Sequence, residues 1–156
     1  MSHWEIITDD SGITYDDLGE LDTLIKSDDI KILKHANRMG IVIKVYRIKL
    51  KQKSYIYKKM EFGDLQINRE LVNKYKKYKK SLELFKEISK DNTLTGICKL
   101  LCCKNIPSSI EMIIEDGGER TLHDYKQRHI SCALKIACDI LKVAIYLKKR
   151  ILVTEI

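Results

Sequence analysis

The run GIVIKVYRIKL, Gly40–Leu50, followed by KQKS and then by SYIYKKM, Ser54–Met60, decides the fold. Val, Ile and Tyr crowd both segments and alternate in part with Lys and Arg. That is the pattern of a strand with one buried and one wetter face. Lys51–Ser54 carries no apolar residue and reads as the polar break between two strands. The pair therefore reads as a hairpin.

Reading outward, residues 67–90 form a helix. Leu71, Tyr75, Tyr78, Leu82 and Phe85 fall four, three, four and three residues apart, which is one apolar stripe. Asp91-Asn92 and Gly96 end it. Ile97–Cys103 reads as a strand, Lys104–Ser108 as a turn and Ser109–Glu115 as another strand, broken by Gly117-Gly118. Leu122–Tyr125 begins a short helix. Ser131–Lys149 is a longer one, with Ala133, Ala137, Ile140, Leu141, Ala144 and Leu147 inward. On the N-terminal side, Ile30–Leu33 is a strand and 16–26 a helix with Asp16 or Asp17 near its start. Residues 3–8 form a further short strand. No internal repeat or low-complexity linker interrupts this order.

The 156 residues are 44% hydrophobic and 33% charged, enough apolar content for a core. The most apolar window, Ile130–Leu147, is broken by Lys135, Asp139 and Lys142, so it does not read as a membrane span. The acidic start MSHWEIITDD is unlike a signal peptide. The expectation is a soluble intracellular protein, cytoplasmic rather than nuclear. The net charge of +7 is unevenly placed. Residues 1–30 hold nine Asp/Glu and one Lys, a balance of −8, which leaves +15 for the rest. That split fits an acidic arm folded on a basic body or a tail left in solvent. A basic body also suits nucleic acid, but helical spacing puts Tyr75 and Tyr78 of KYKKYKK on the apolar stripe. The lysines are then a solvated face, and nucleic acid is not the favoured partner. The cysteines at 98, 102, 103, 132 and 138 lack the spacing of a zinc knuckle. They read as buried or half-buried free thiols, with 102 and 103 on opposite faces of a strand.

Three strands, a helix, two strands, a break and then helices is the element order of a protein kinase small lobe entering its large lobe. Over residues 30–156 the chain resembles that eukaryotic-type family. YIYK, Tyr55–Lys58, sits where the family has V-A-I-K. Gly96–Cys102 resembles the fourth strand, Glu111–Gly118 the fifth strand and hinge, and Tyr146–Leu152 the approach to the catalytic loop. The resemblance implies that Lys58 meets nucleotide phosphates and is held by a carboxylate of the long helix. Glu83 fits best, with Glu70 and Glu87 as alternatives. It implies adenine against backbone near Glu115, Asp116 and Gly117, with Ile114 as gatekeeper.

The departures shape the functional expectation. Where the family has a glycine-rich loop, His35–Gly40 holds one glycine, so the backbone should not approach phosphates closely. Val153, Thr154 and Glu155 stand where H-R-D is expected, and the D-F-G aspartate and metal-binding asparagine are not in the sequence. The resemblance thus implies a truncated or pseudokinase-like protein that binds ATP weakly or not at all. Mg²⁺ is not expected to bind to this chain alone, and phosphoryl transfer is not expected. The expected fold is α+β, an antiparallel sheet with one long packed helix followed by two helices of an unfinished second lobe. Its parts are an acidic extension (1–29), the lobe (30–116) and the hinge with the second lobe (117–156). The apolar face of 131–149 predicts that residues 122–156 fray, self-associate or dock on a partner protein.

Overall fold

The computed structural model of the chain describes residues 4–27, 30–63, 68–94, 96–118 and 130–155. The fold is α+β, with a six-stranded antiparallel sheet and four helices among those residues. β3 (Ile41–Leu50) and β4 (Lys53–Phe62) are the expected hairpin, paired from Ile41↔Phe62 to Leu50↔Lys53. The break is tighter than expected. Only Lys51 and Gln52 link the strands, with φ of 49° and 64°. A two-residue turn with both φ positive matches the twist of the strands it joins. Placing two non-glycine residues there costs about 1–2 kcal/mol each.

β2 (Lys31–Arg38) extends well beyond the expected Ile30–Leu33. His35–Arg38, read as part of a nucleotide-covering loop, are strand, and only Met39 and Gly40 turn the chain, at φ 53° and 84°. The physical reason is cross-strand pairing. Ala36 sits opposite Ile43 and Arg38 opposite Ile41, so the inward-facing backbone groups of this edge segment pair with β3. Gly40 is the natural occupant of the second turn position, where L side chains are strained.

β5 (Leu100–Ile106) and β6 (Ser109–Glu115) form a second hairpin across Pro107-Ser108, and β1 (Trp4–Ile6) pairs with β5. The sheet order is β1-β5-β6-β4-β3-β2. Its two faces are covered differently. One receives α3 (Arg69–Lys90), whose Leu71 and Leu82 pack with Ile41, Met60, Phe62, Ile110 and Met112. Tyr75 and Phe85 are half-buried beside them, and Tyr78 is 37% exposed at the rim.

The other face is covered by the N-terminal arm. The helix expected over 16–26 is two short ones, α1 (Tyr15–Gly19) and α2 (Leu21–Ile25). The cap is Thr14 rather than an aspartate. Thr14 Oγ1 accepts from the Asp17 amide at 3.3 Å, and Asp17 Oδ2 accepts from the Thr14 amide at 2.9 Å. These bonds hold the Asp17 carboxyl below its usual value. Ile13, Leu18 and Leu21 are buried against Ile48, Leu50, Tyr55 and Tyr57. Three such aliphatic side chains contribute on the order of 5–9 kcal/mol before ordering costs. The ion pair between the arm and the β3–β4 turn among the described residues, Lys51–Asp17 at 3.2 Å, has a lysine 57% exposed and contributes at most about 1 kcal/mol. Apolar burial, not charge, holds the acidic arm down.

The chain divides into two compact units, Met1–Lys90 with Cys98–Asp116, and Asp91–Ile97 with Gly117–Ile156. The arm, read from the sequence as an acidic extension over 1–29, shares a unit with the sheet. In the second unit, α4 (Ile130–Glu155) passes close to Gly96, where an added Cβ would lie 2.8 Å from the Asp139 carboxylate. The expected helix at Leu122–Tyr125 lies outside the described residues. α4 absorbs Ile151–Glu155, the stretch read as the approach to a catalytic loop. No Gly or Pro occurs between 130 and 155 to stop it. No described helix is long and apolar enough to cross a membrane.

Candidate functional site

Alternation along β4 divides its side chains. Tyr55, Tyr57 and Lys59 face the arm, and Lys58, Met60 and Phe62 face α3. Lys58 sits in a cross-strand row running Lys34, Val45, Lys58, Met112, Cys103 and Glu5. It is half-buried, and burial pushes its pKa down, with Lys34 adding to the shift. Among the described residues no carboxylate forms an ion pair with it.

The expected Lys58–Glu83 pair is not formed. Lys86 takes Glu83 instead, with Nζ 3.0 Å from Glu83 Oε1 and 3.0 Å from Glu5 Oε2. Burial pulls the Lys86 pKa down, but the two carboxylates outweigh it and hold the ammonium above its usual value. The reason is the placement of α3. Lys86 reaches the β1 end of the row, three strand spacings or about 14 Å from Lys58. Glu70 and Glu87 are exposed on α3.

The residues read as a hinge are engaged at the end of β6. Ile114 is half-buried on the α3 face, in register with Ile56. The Glu115 amide donates to the Lys99 carbonyl at 3.0 Å, and the Glu115 carboxylate accepts from the Lys99 amide at 3.0 Å. Asp116 accepts from Arg47 Nε at 2.8 Å and from Ser54 Oγ at 2.6 Å. Its side chain is nearly buried and ties β6 to β3 and β4. Gly117 is exposed and belongs to the second unit.

A groove that the sequence reading did not anticipate opens on the same face. It lies between the β2–β3 turn and the first half of α3, about 380 Å³, lined by Arg38, Met39, Ile41, Ile43, Lys74, Lys77, Tyr78 and Ser81. Every charged residue in it is a cation. Ile43 is the register partner of Met60, two residues along β4 from Lys58. The KYKKYKK run supplied the signal, since Lys74 and Lys77 flank the stripe that packs on Phe62. Tyr75 meets the Phe62 ring edge-on at 5.0 Å.

On the arm face, Glu111 is 5% exposed. It accepts from the Tyr57 hydroxyl and has Lys104 Nζ at 3.6 Å. Cys102 and Cys103 point to opposite faces and are buried, as expected, whereas Cys98 and Cys138 are exposed. Among the described residues no group of three or more His, Cys, Asp or Glu is placed to hold a metal ion. No family model matches the sequence, no curated protein matches it, and no solved structure matches the fold.

Proposed function

We propose that the sheet and α3 form a protein kinase-like lobe that binds a nucleoside triphosphate weakly through Lys58 and Lys34 and does not carry phosphoryl transfer alone. The observation that carries this reading is Lys58. It is a half-buried lysine on the α3 face of β4, without a carboxylate ion pair among the described residues and with Lys34 across one strand. A desolvated cation in that position gains from a phosphate. The order β2, β3, β4, α3, β5, β6 supports the family resemblance. The base would meet the apolar surface of Ile56 and Ile114. Binding is weak because the Met39-Gly40 turn offers one glycine and Glu83 is held by Lys86.

Calorimetric titration with ATP, with and without Mg²⁺, tests this. Weak binding that Lys58→Met lowers about tenfold or more is expected, since one charge-assisted contact is lost. Sub-micromolar Mg·ATP affinity, or affinity indifferent to Lys58→Met, overturns it.

α4 favours a second reading, a non-catalytic interaction module. Leu134, Ile140, Leu141 and Ile145 are 54–61% exposed, an apolar surface that normally finds a partner. Sedimentation over a concentration series tests self-association, which Leu141→Lys should abolish. A monomer at every concentration leaves only a partner of another sequence for this reading.

A further inference from the structure

We propose that the groove where α2 ends on the arm face is a binding site for a small phosphate-bearing anion of the diphosphate class. The site is independent of the kinase-like reading, because it lies on the sheet face opposite Lys58. Ile25 and Lys26 form one wall, Tyr46 and Tyr57 the floor, and Lys44 and Lys59 the other wall, around a space of about 310 Å³. The two rings stack with centroids 5.9 Å apart and planes 28° apart.

The charge arrangement points to a ligand. Lys44 and Lys59 are direct register partners, and His35 is the partner of Lys44 on the next strand. Basic side chains thus stand opposite one another across three adjacent strands, roughly 5 Å apart. Like charges set opposite destabilise a strand pair, and an anion between them reverses the sign. Lys26 adds a third ammonium from the end of α2. Among the described residues the neighbouring carboxylates are Glu61, 3.0 Å from Lys59 and also under the field of Lys44, and Glu111, the register partner of Lys59 on β6. The Tyr57 hydroxyl is committed to Glu111 and does not compete. Three lysine point charges around a space of this size suit a compact, multiply charged phosphate and are too confined for a nucleic-acid duplex.

The test uses the full chain and inorganic diphosphate, with ¹H–¹⁵N spectra and calorimetry at constant ionic strength. Saturable binding is expected, with shifts at Ile25, Lys26, Tyr46 and Lys59. The double variant Lys44→Gln/Lys59→Gln, checked for its fold by circular dichroism, should bind at least about tenfold more weakly. Lys80→Gln, at an exposed lysine of α3 outside both sites, should bind as the unaltered chain does. A second arm uses phosphatidylcholine vesicles with and without phosphatidic acid, and equal retention on both is expected for a soluble ligand. Absence of diphosphate binding overturns the proposal. So does affinity unchanged in the folded double variant, or an equal loss of binding in Lys80→Gln. Retention only on the phosphatidic acid vesicles without diphosphate binding also overturns it in favour of a lipid headgroup.

Discussion

Glu5 on the first strand and Lys86 on α3 meet at 3.0 Å, joining the edge of the sheet to the helix across more than eighty residues of chain. Lys86 is 14% exposed on its side chain, Glu5 53%. The same ammonium holds Glu83, so the carboxylate expected to serve Lys58 is fixed at the far end of the row.

Lys86→Met should lower stability by about 1–2 kcal/mol at neutral pH. That is less than a fully buried pair would cost, because both carboxylates remain solvated. The lysine is raised above its ordinary 10.5, so its contribution is complete below that pH and is lost as pH rises through the folded-state value. Urea melts of both proteins at neutral pH measure the difference. A loss below a few tenths of a kcal/mol would show that the pair is ornamental.

Asp116 is the more costly residue to remove. Its side chain is 12% exposed and that of Arg47 15%. Asp116→Ala should destabilise by about 3 kcal/mol, because it leaves the Arg47 guanidinium desolvated without this acceptor. Arg47→Met/Asp116→Leu should cost less than Asp116→Ala alone. A double-mutant cycle by thermal melting decides it, and additive losses would contradict the coupling.

Lys58→Met should behave in the opposite sense and stabilise the unliganded protein, by at most about 1 kcal/mol given partial solvent access. Burial and Lys34 lower the folded-state pKa of Lys58 below 10.5, so its charged form opposes folding at neutral pH. Between that lowered pKa and 10.5 the unfolded chain binds more protons and the unaltered protein gains stability as pH rises. The advantage of Lys58→Met should therefore shrink toward pH 10. Paired melts at neutral and alkaline pH test this, and an advantage that grows with pH would refute the assignment.

The four thiols among the described side chains should react in two classes. Burial pushes Cys102 up to about 12 and Cys103 up to about 11, so neither presents a thiolate near neutrality. Cys98 and Cys138 are exposed. Timed alkylation read by peptide mass spectrometry should label 98 and 138 in the native protein, and 102 and 103 only after unfolding. Rapid native labelling of Cys103 would mean that β1 lifts from β5.

The strands at 41–50, 53–62 and 109–115 and the helix at 69–90 were legible in the sequence, because each carries a local period that its own residues enforce. The resemblance of Tyr55–Lys58 to the family's third strand singled out Lys58, and the strand that carries it was legible. Its surroundings were not. Glu5, Lys86 and Glu83 come together only because β1 pairs with β5, a register no local pattern encodes. Asp116 meets Arg47 and Ser54, and Tyr57 meets Glu111, through the order β5-β6-β4-β3. The uneven charge was plain from composition, yet the arm is held by Ile13, Leu18 and Leu21. Local periodicity settles which residues turn inward. Which polar groups then meet depends on strand order and helix placement, and those are set by long-range apolar burial that the sequence carries only as a sum.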